Sequence, residues 1–152
     1  MNCTNLEFKT RTASAQAVIE HLNACSNCFD PPLNTRVDIG TYGDKIIDKA
    51  VTFEAWENNL LIGLIAAYLN DFESKTCFIT NVSILPQYHR RGIAKKLLLR
   101  LLEDCKSLGF VKVKLEVSSN NAPALSFYSQ HGFSVIEKNG NKLTMEMVLK
   151  NE

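Results

Sequence analysis

The stretch SILPQYHRRGIAKKLLLRLLEDCKSLGF, residues 83–110, decides how the rest of the chain is read. Ile93, Ala94, Leu97, Leu98, Leu101, Leu102, Cys105 and Leu108 fall on one stripe at helical spacing. Lys95, Lys96, Arg100, Glu103, Asp104 and Lys106 fall elsewhere, so the pattern predicts an amphipathic helix that begins near Gly92. Gly109 stands where a helix C-terminus takes a left-handed residue. His89, Arg90 and Arg91 crowd the turn between Pro86 and that helix. The first N–H groups of a helix have no intrahelical partner, and with cations around them they make an anion site. Gly92 removes a side chain that would obstruct close approach, and Ala94 keeps the next turn small. The spacing is neither G-x-x-x-x-G-K-[ST] nor G-x-G-x-x-G, so nucleoside triphosphates and dinucleotides are not indicated. On these residues alone, an anion site and a solvated basic helix start fit equally well.

Outward from this helix, the segments on both sides read as strands. CFITNVSIL ends at Pro86, and VKVKLEV, residues 111–117, alternates strictly; a strand–helix–strand succession predicts a parallel pair. NAPALSFYSQHG reads as a short helix with Pro123 in its first turn. FSVIEK and KLTMEMVL flank Asn139-Gly140, a hairpin turn. Upstream, LEFKTR alternates as a strand, and AQAVIEHLNAC carries Val18, His21, Leu22 and Cys25 at helical spacing behind Ser14. His21 reads as a helix-face residue rather than a ligand. DPPL breaks that helix. VDIGTYGDKIIDKA reads as a poor second helix, with two glycines against it, and AVTFEAWE and LLIGLIAAYL pair about Asn58-Asn59. The whole, residues 1–152, reads as a single mixed α/β domain without repeats or linkers.

A net charge of +1 argues against a polyanionic partner such as nucleic acid, so any basic patch is local. No apolar run reaches membrane-spanning length and the N-terminus shows no signal core, which predicts a cytoplasmic protein with no membrane partner. The five cysteines Cys3, Cys25, Cys28, Cys77 and Cys105 form no framework and suit a reducing compartment. The C-x-x-C pair Cys25–Cys28 lacks further ligands, so no metal is expected, and it sits at a helix tail where redox chemistry is not.

His89-Arg90-Arg91-Gly92-Ile93-Ala94 after one strand, and Asn121, Ala124, Tyr128, Gly132 and Phe133 after the next, resemble the two linked motifs of the GNAT acyltransferase superfamily. The resemblance is specific from about Val82 to Phe133. It implies a mixed, mostly antiparallel sheet of six to seven strands, whose central parallel strands splay apart, flanked by about four helices. It further implies that the anion is the diphosphate of acetyl-CoA, held by main-chain groups at Arg91, Gly92, Ile93 and Ala94, with Arg90 and Lys95 adding charge. His89 departs from the pattern, which prefers Gln or Arg there, and is expected as loop structure. By position, main-chain groups of Val82 and Ile84 would meet the acyl carbonyl and the pantetheine amides, and Asn121 the pantetheine arm, as well as capping its helix. Tyr128 matches the tyrosine that hands a proton to the departing thiolate.

The function so implied is N-acetyl transfer to a primary amine of a small molecule, such as an amino sugar, polyamine or amino acid, or of a peptide. A non-catalytic acyl-CoA sensor of the same fold is the alternative. A general base is harder to place. TNVSI offers no carboxylate, so Glu54 stands first among the carboxylates, ahead of Glu116, Asp71 and Glu73. Arg36, Asp38 and Tyr42 border the acceptor side in such a fold. A monomer or a homodimer is expected, with KLTMEMVL as the edge that could pair.

Overall fold

The computed structural model describes residues 6–29 and 31–149, so Cys3 lies outside the described residues. In chain order the elements are β1 (Leu6–Thr10), α1 (Ala15–Cys25), α2 (Ile39–Lys49), β2 (Val51–Glu57), β3 (Leu60–Asp71), β4 (Thr76–Ile84), α3 (Ile93–Ser107), β5 (Lys112–Ser118), α4 (Ala122–Gln130), β6 (Ser134–Asn139) and β7 (Lys142–Val148). Short 3-10 turns occupy Ser26–Cys28, Leu33–Thr35 and Pro86–Tyr88. The seven strands form one sheet in the order β1-β2-β3-β4-β5-β7-β6. All neighbours run antiparallel except β4 and β5, which are parallel as the strand–helix–strand succession requires.

Both faces of the sheet are covered. On one, Leu97, Leu98 and Leu101 of α3 pack with Phe53, Ile65, Phe110, Leu115 and Met145. On the other, Val18 and Leu22 of α1 and Ile46 of α2 pack on Leu61, Leu64 and Ala66. Burial of such aliphatic and aromatic side chains is the main force holding the layers. The α2 helix is regular in spite of its glycines. The Asp38 carboxylate caps it by accepting from Thr41 N, and a Cβ at Gly43 would lie 2.5 Å from Ile19 Cγ1. That glycine is where α1 and α2 touch, and it counts against a helix only in isolation.

The expected edge strand is corrected. KLTMEMVL forms β7, which lies between β5 and β6 and is therefore interior; β6 is the edge on that side. The reason is register: seven residue pairs from Lys112↔Val148 to Ser118↔Lys142 join β7 to β5, so β7 is shared and its partner β6 is left outermost. Among the described residues, no helix is long and apolar enough to cross a membrane.

Candidate active site

The parallel pair β4–β5 is joined over Thr76↔Lys112 to Ile79↔Leu115 and no further. Beyond Ile79, β4 continues to Ile84 and β5 to Ser118 as separate arms. A cavity of about 670 Å³ opens there, within the range of small-molecule sites. Its walls come from the far half of β4, the far half of β5, the start of α4, and the α1–α2 segment, which contributes Phe29, Leu33 and Arg36.

One extra residue arranges the β4 wall. Against β3, Ala67 pairs with Ile79 and Ala66 with Asn81, so Thr80 is a bulge. A bulge reverses which face successive side chains take. Before it, Cys77 and Ile79 face the α3 core; after it, Val82 and Ile84 do. Asn81 and Ser83 are thereby turned to the α1–α2 side, and both line the cavity while remaining buried. Tyr42 of α2 pins the bulge, its hydroxyl donating to the Thr80 carbonyl at 2.8 Å.

Main-chain groups alternate as well. Leu85 N–H donates to Ile62 O at 2.9 Å, so Leu85 and Ser83 direct their peptide groups to β3, while Val82 and Ile84 direct theirs to the open side. His89 agrees with this: its Nε2 donates to the Ile84 carbonyl at 2.8 Å. The ring thus ties the basic turn to the end of β4. What the open side of β4 still offers is the Val82 N–H and C=O and the Ile84 N–H.

The other motif residues fall into two groups. Val82, Ile84, His89, Asn121 and Tyr128 line the cavity. Arg90, Arg91, Gly92, Ile93, Ala94 and Lys95 make the adjoining turn and the first turn of α3. Gly92 is the N-cap with φ +75, and Arg90 is also left-handed at φ +66. A Cβ at Gly92 would meet no protein atom within 4 Å, so the glycine is required by backbone conformation rather than by crowding within the chain. Ser14, Asp38 and Asn121 cap α1, α2 and α4 with side-chain oxygens, whereas α3 has no side-chain cap. Its leading N–H groups are left for another acceptor. Arg91 lies over the Tyr88 ring at 5.2 Å, and the Tyr88 hydroxyl in turn donates to Glu57.

Tyr128 is buried, edge-on to Phe127 and Phe133 at 5.3 and 5.6 Å. Burial lifts its phenol well above the usual tyrosine range, which keeps it protonated. Asn121 Oδ1 accepts from Ala124 N at 3.2 Å, so as cap it spends the carbonyl and keeps its NH2 group for the cavity it lines.

Glu54 is placed elsewhere. It is fully buried in β2 and is absent from the cavity walls. Its carboxylate accepts from Thr12 N and Oγ1, Ala13 N, Thr52 Oγ1 and Trp56 Nε1. Burial pushes its pKa up, but the bonds from Thr12, Thr52, Trp56 and Ala13 together outweigh that and hold it below the usual glutamate value. It clamps the β1–α1 connection to β2. Glu116 does line the cavity, 3.5 Å from Lys142 Nζ, while Asp71 accepts from Ser74 in a turn. Of the three acceptor-side residues, Arg36 and Tyr42 line the cavity and Asp38 is spent as a cap.

Sequence reasoning missed Asn81, Ser83 and the contact that His21 makes with Ser83. Asn81 and Ser83 are polar residues two apart in the strand TCFITNVSI and hence on one face, which was the available signal. His21 is 3 % exposed and reaches across to Ser83, 62 residues away, a contact no local pattern carries. Cys25 is buried beneath it and Cys28 is exposed; both are free thiols.

Residues 15–133 match the sequence profile of the Acetyltransferase (GNAT) family. N-alpha-acetyltransferase 50 of Danio rerio is 30% identical over 89 residues, 57% of this chain and 53% of that protein. The [Ribosomal protein bS18]-alanine N-acetyltransferase of Salmonella typhimurium is 35% identical over 54 residues, 36% of each chain. The chain thus spans about half or less of the length of these curated relatives. In fold, it superposes on the PaiA N-acetyltransferase of Thermoplasma acidophilum, solved in complex with coenzyme A, with a TM-score of 0.77 over 93% of this chain and 99% of that one, at 20% identity. The ribosomal-protein-S18-alanine N-acetyltransferase of Escherichia coli also gives 0.77, over 97% and 96%, at 16% identity. With its profile running from α1 through α4 and its sheet parting between β4 and β5, this chain belongs to the GNAT acetyltransferase family.

Proposed function

We propose that this chain transfers an acetyl group from acetyl-CoA to a primary amine, by direct attack with both substrates bound. The observation that carries the reading is the parting of β4 from β5 beside a helix whose N-terminus has no side-chain cap. The residues present fit an acyl-CoA. The α3 N–H groups with Arg90, Arg91 and Lys95 suit a diphosphate. Val82 and Ile84 offer main-chain groups spaced to bond an extended amide-bearing arm as a strand would.

In this reading the main-chain N–H of β4 nearest the acyl carbonyl stabilises the negative charge that builds on its oxygen during attack. Tyr128 donates its proton to the sulfur as the carbon–sulfur bond breaks, and burial keeps that proton in place until it is needed. The acceptor enters from the α1–α2 side, between the apolar Phe29 and Leu33 and the cation of Arg36. Peptide α-amines head the acceptors to be tried, because the names of the two curated relatives specify an α-acetylation and an alanine of a ribosomal protein. The free thiols of Cys25, Cys28, Cys77 and Cys105 support a reducing, cytoplasmic setting.

The test is thiol release from acetyl-CoA with a panel of peptides, amino acids, polyamines and amino sugars, beside calorimetric binding of acetyl-CoA. Turnover with at least one amine supports the reading. Tight binding with no thiol from any amine would assign the chain as a sensor instead, and no binding would refute both.

A further inference from the structure

His21 is a buried titratable group that the mechanism above does not use, yet it is wired to the cavity. Its Nδ1 lies 3.0 Å from the Leu61 carbonyl, which can only accept, whereas Nε2 has a hydroxyl beside it that can donate, so the tautomer with hydrogen on Nδ1 leaves both nitrogens bonded and makes Nε2 the acceptor. Nε2 lies 3.0 Å from Ser83 Oγ and 3.2 Å from the Ser83 carbonyl. The Ser83 hydroxyl has one proton and two acceptors within reach, His21 Nε2 and Asn81 Oδ1 at 2.8 Å. Ser83 and Asn81 line the cavity on the side closed by Phe29, Leu33 and Arg36, whereas His21 stands behind them.

From this wiring we infer that His21, acting through the Ser83 hydroxyl, takes the proton that the acceptor nitrogen must lose. The inference rests on the transfer reading above. As the nitrogen–carbon bond forms and the nitrogen becomes cationic, its N–H proton passes to Ser83 Oγ while the hydroxyl proton passes to His21 Nε2. The carbon–sulfur bond breaks, and the sulfur takes the Tyr128 proton. One proton has then left nitrogen and one has reached sulfur, and the His21 proton returns through Ser83 and solvent to restore Tyr128. Once protonated, Nε2–H has the Ser83 carbonyl as acceptor, so both ring nitrogens remain bonded in the charged state. The amine is an acid strong enough for this transfer only after it has bonded to carbon, which confines base catalysis to the step that needs it.

The groups facing the ring are the Cys25 thiol of its own helix at 3.7 Å, the Leu61 carbonyl of β3, and the hydroxyl and carbonyl of Ser83 on β4. Neither carboxylate nor cation bonds the ring among the described residues. Burial pushes the Cys25 thiol up to about 12, with the neighbouring Cys28 adding to the effect, so it stays uncharged. Burial likewise lowers His21 against the two carbonyl bonds, leaving it neutral and ready to accept near pH 7.

The experiment compares wild type, Ser83→Ala, His21→Gln and their double variant, with Glu116→Gln as control because Glu116 is the carboxylate on the cavity wall. Acceptor turnover is followed from pH 5 to 9, acetyl-CoA binding is measured by calorimetry, and the His21 tautomer is read from ring nitrogen shifts in labelled protein. The expected result is a loss of about 100-fold in kcat for each single variant, with acetyl-CoA affinity unchanged within twofold. The double variant should fall no lower than the weaker single one, and the acidic limb of the wild-type profile, plotted against the concentration of unprotonated amine, should vanish in both. The nitrogen spectrum should show hydrogen on Nδ1. A folded Ser83→Ala enzyme with wild-type turnover and an intact acidic limb overturns the relay, even if His21→Gln fails to fold. So does a limb abolished by Glu116→Gln alone, or hydrogen on Nε2. A wild type that binds acetyl-CoA but acts on no amine overturns the transfer reading itself, which separates the two failures.

Discussion

At Tyr128 and Glu54 the same physical cause, removal from water, leads to different ends. The phenol gains no compensating bond from burial, so its proton is held far into alkaline pH. Tyr128→Phe should lower kcat about 100-fold while acetyl-CoA binding stays within twofold, read by steady-state thiol release and calorimetry. Any alkaline fall in wild-type turnover below pH 10 must then come from another group. Glu54 gains five hydrogen bonds and is held ionised. Glu54→Gln should cost about 2 kcal/mol in urea unfolding and leave kcat unchanged, the signature of a clamp and not of a base. The sequence pattern places Glu54 ahead of Glu116, although both are strand carboxylates, and the structure reverses the order at the cavity. What separates them is the encirclement of one by Thr12, Ala13, Thr52 and Trp56, which requires the β1–α1 connection to fold back over β2.

Among the elements, α3 and the hairpins were legible because a single period or a single turn dipeptide dictates them. The leucine stripe of α3 and the Asn58-Asn59 turn, with φ +50 and +68, both appear where the pattern puts them. The α2 helix was obscured by Gly40 and Gly43, whose cost in propensity is local while the gain at Gly43 lies in another helix. Replacing Gly43 with Leu should force α1 off α2 and cost about 1–3 kcal/mol by thermal or urea unfolding. Because α1 carries His21, the folded remainder should also lose acceptor turnover more than acetyl-CoA affinity. At the start of α3, Gly92→Val places a β-branched residue at φ +75. It should weaken acetyl-CoA binding at least tenfold while the far-ultraviolet spectrum of the protein is retained.

Across the molecule, two buried titratable groups sit on the same side of the acid–base ledger. His21 is lowered from its ordinary 6.5, so the folded state resists its protonation and stability falls as pH drops below about 6.5. Glu54 is lowered from its ordinary 4.5, so the stability from its ionisation is present above that value and is lost as pH falls through the folded one. Melting temperature should therefore decline in two stages on acidification, and His21→Gln should flatten only the first. This coupling was invisible in the sequence, since it joins residues from α1, β3 and β4 that only the assembled sheet brings together. The bulge at Thr80 extends the point. A single inserted residue sorts the end of β4 into a greasy side and a wet side, so deleting one residue there would exchange the two faces, whereas a side-chain replacement leaves the strand's facing unchanged. The character of the cavity wall is thus set by the length of this strand as well as by its side-chain types.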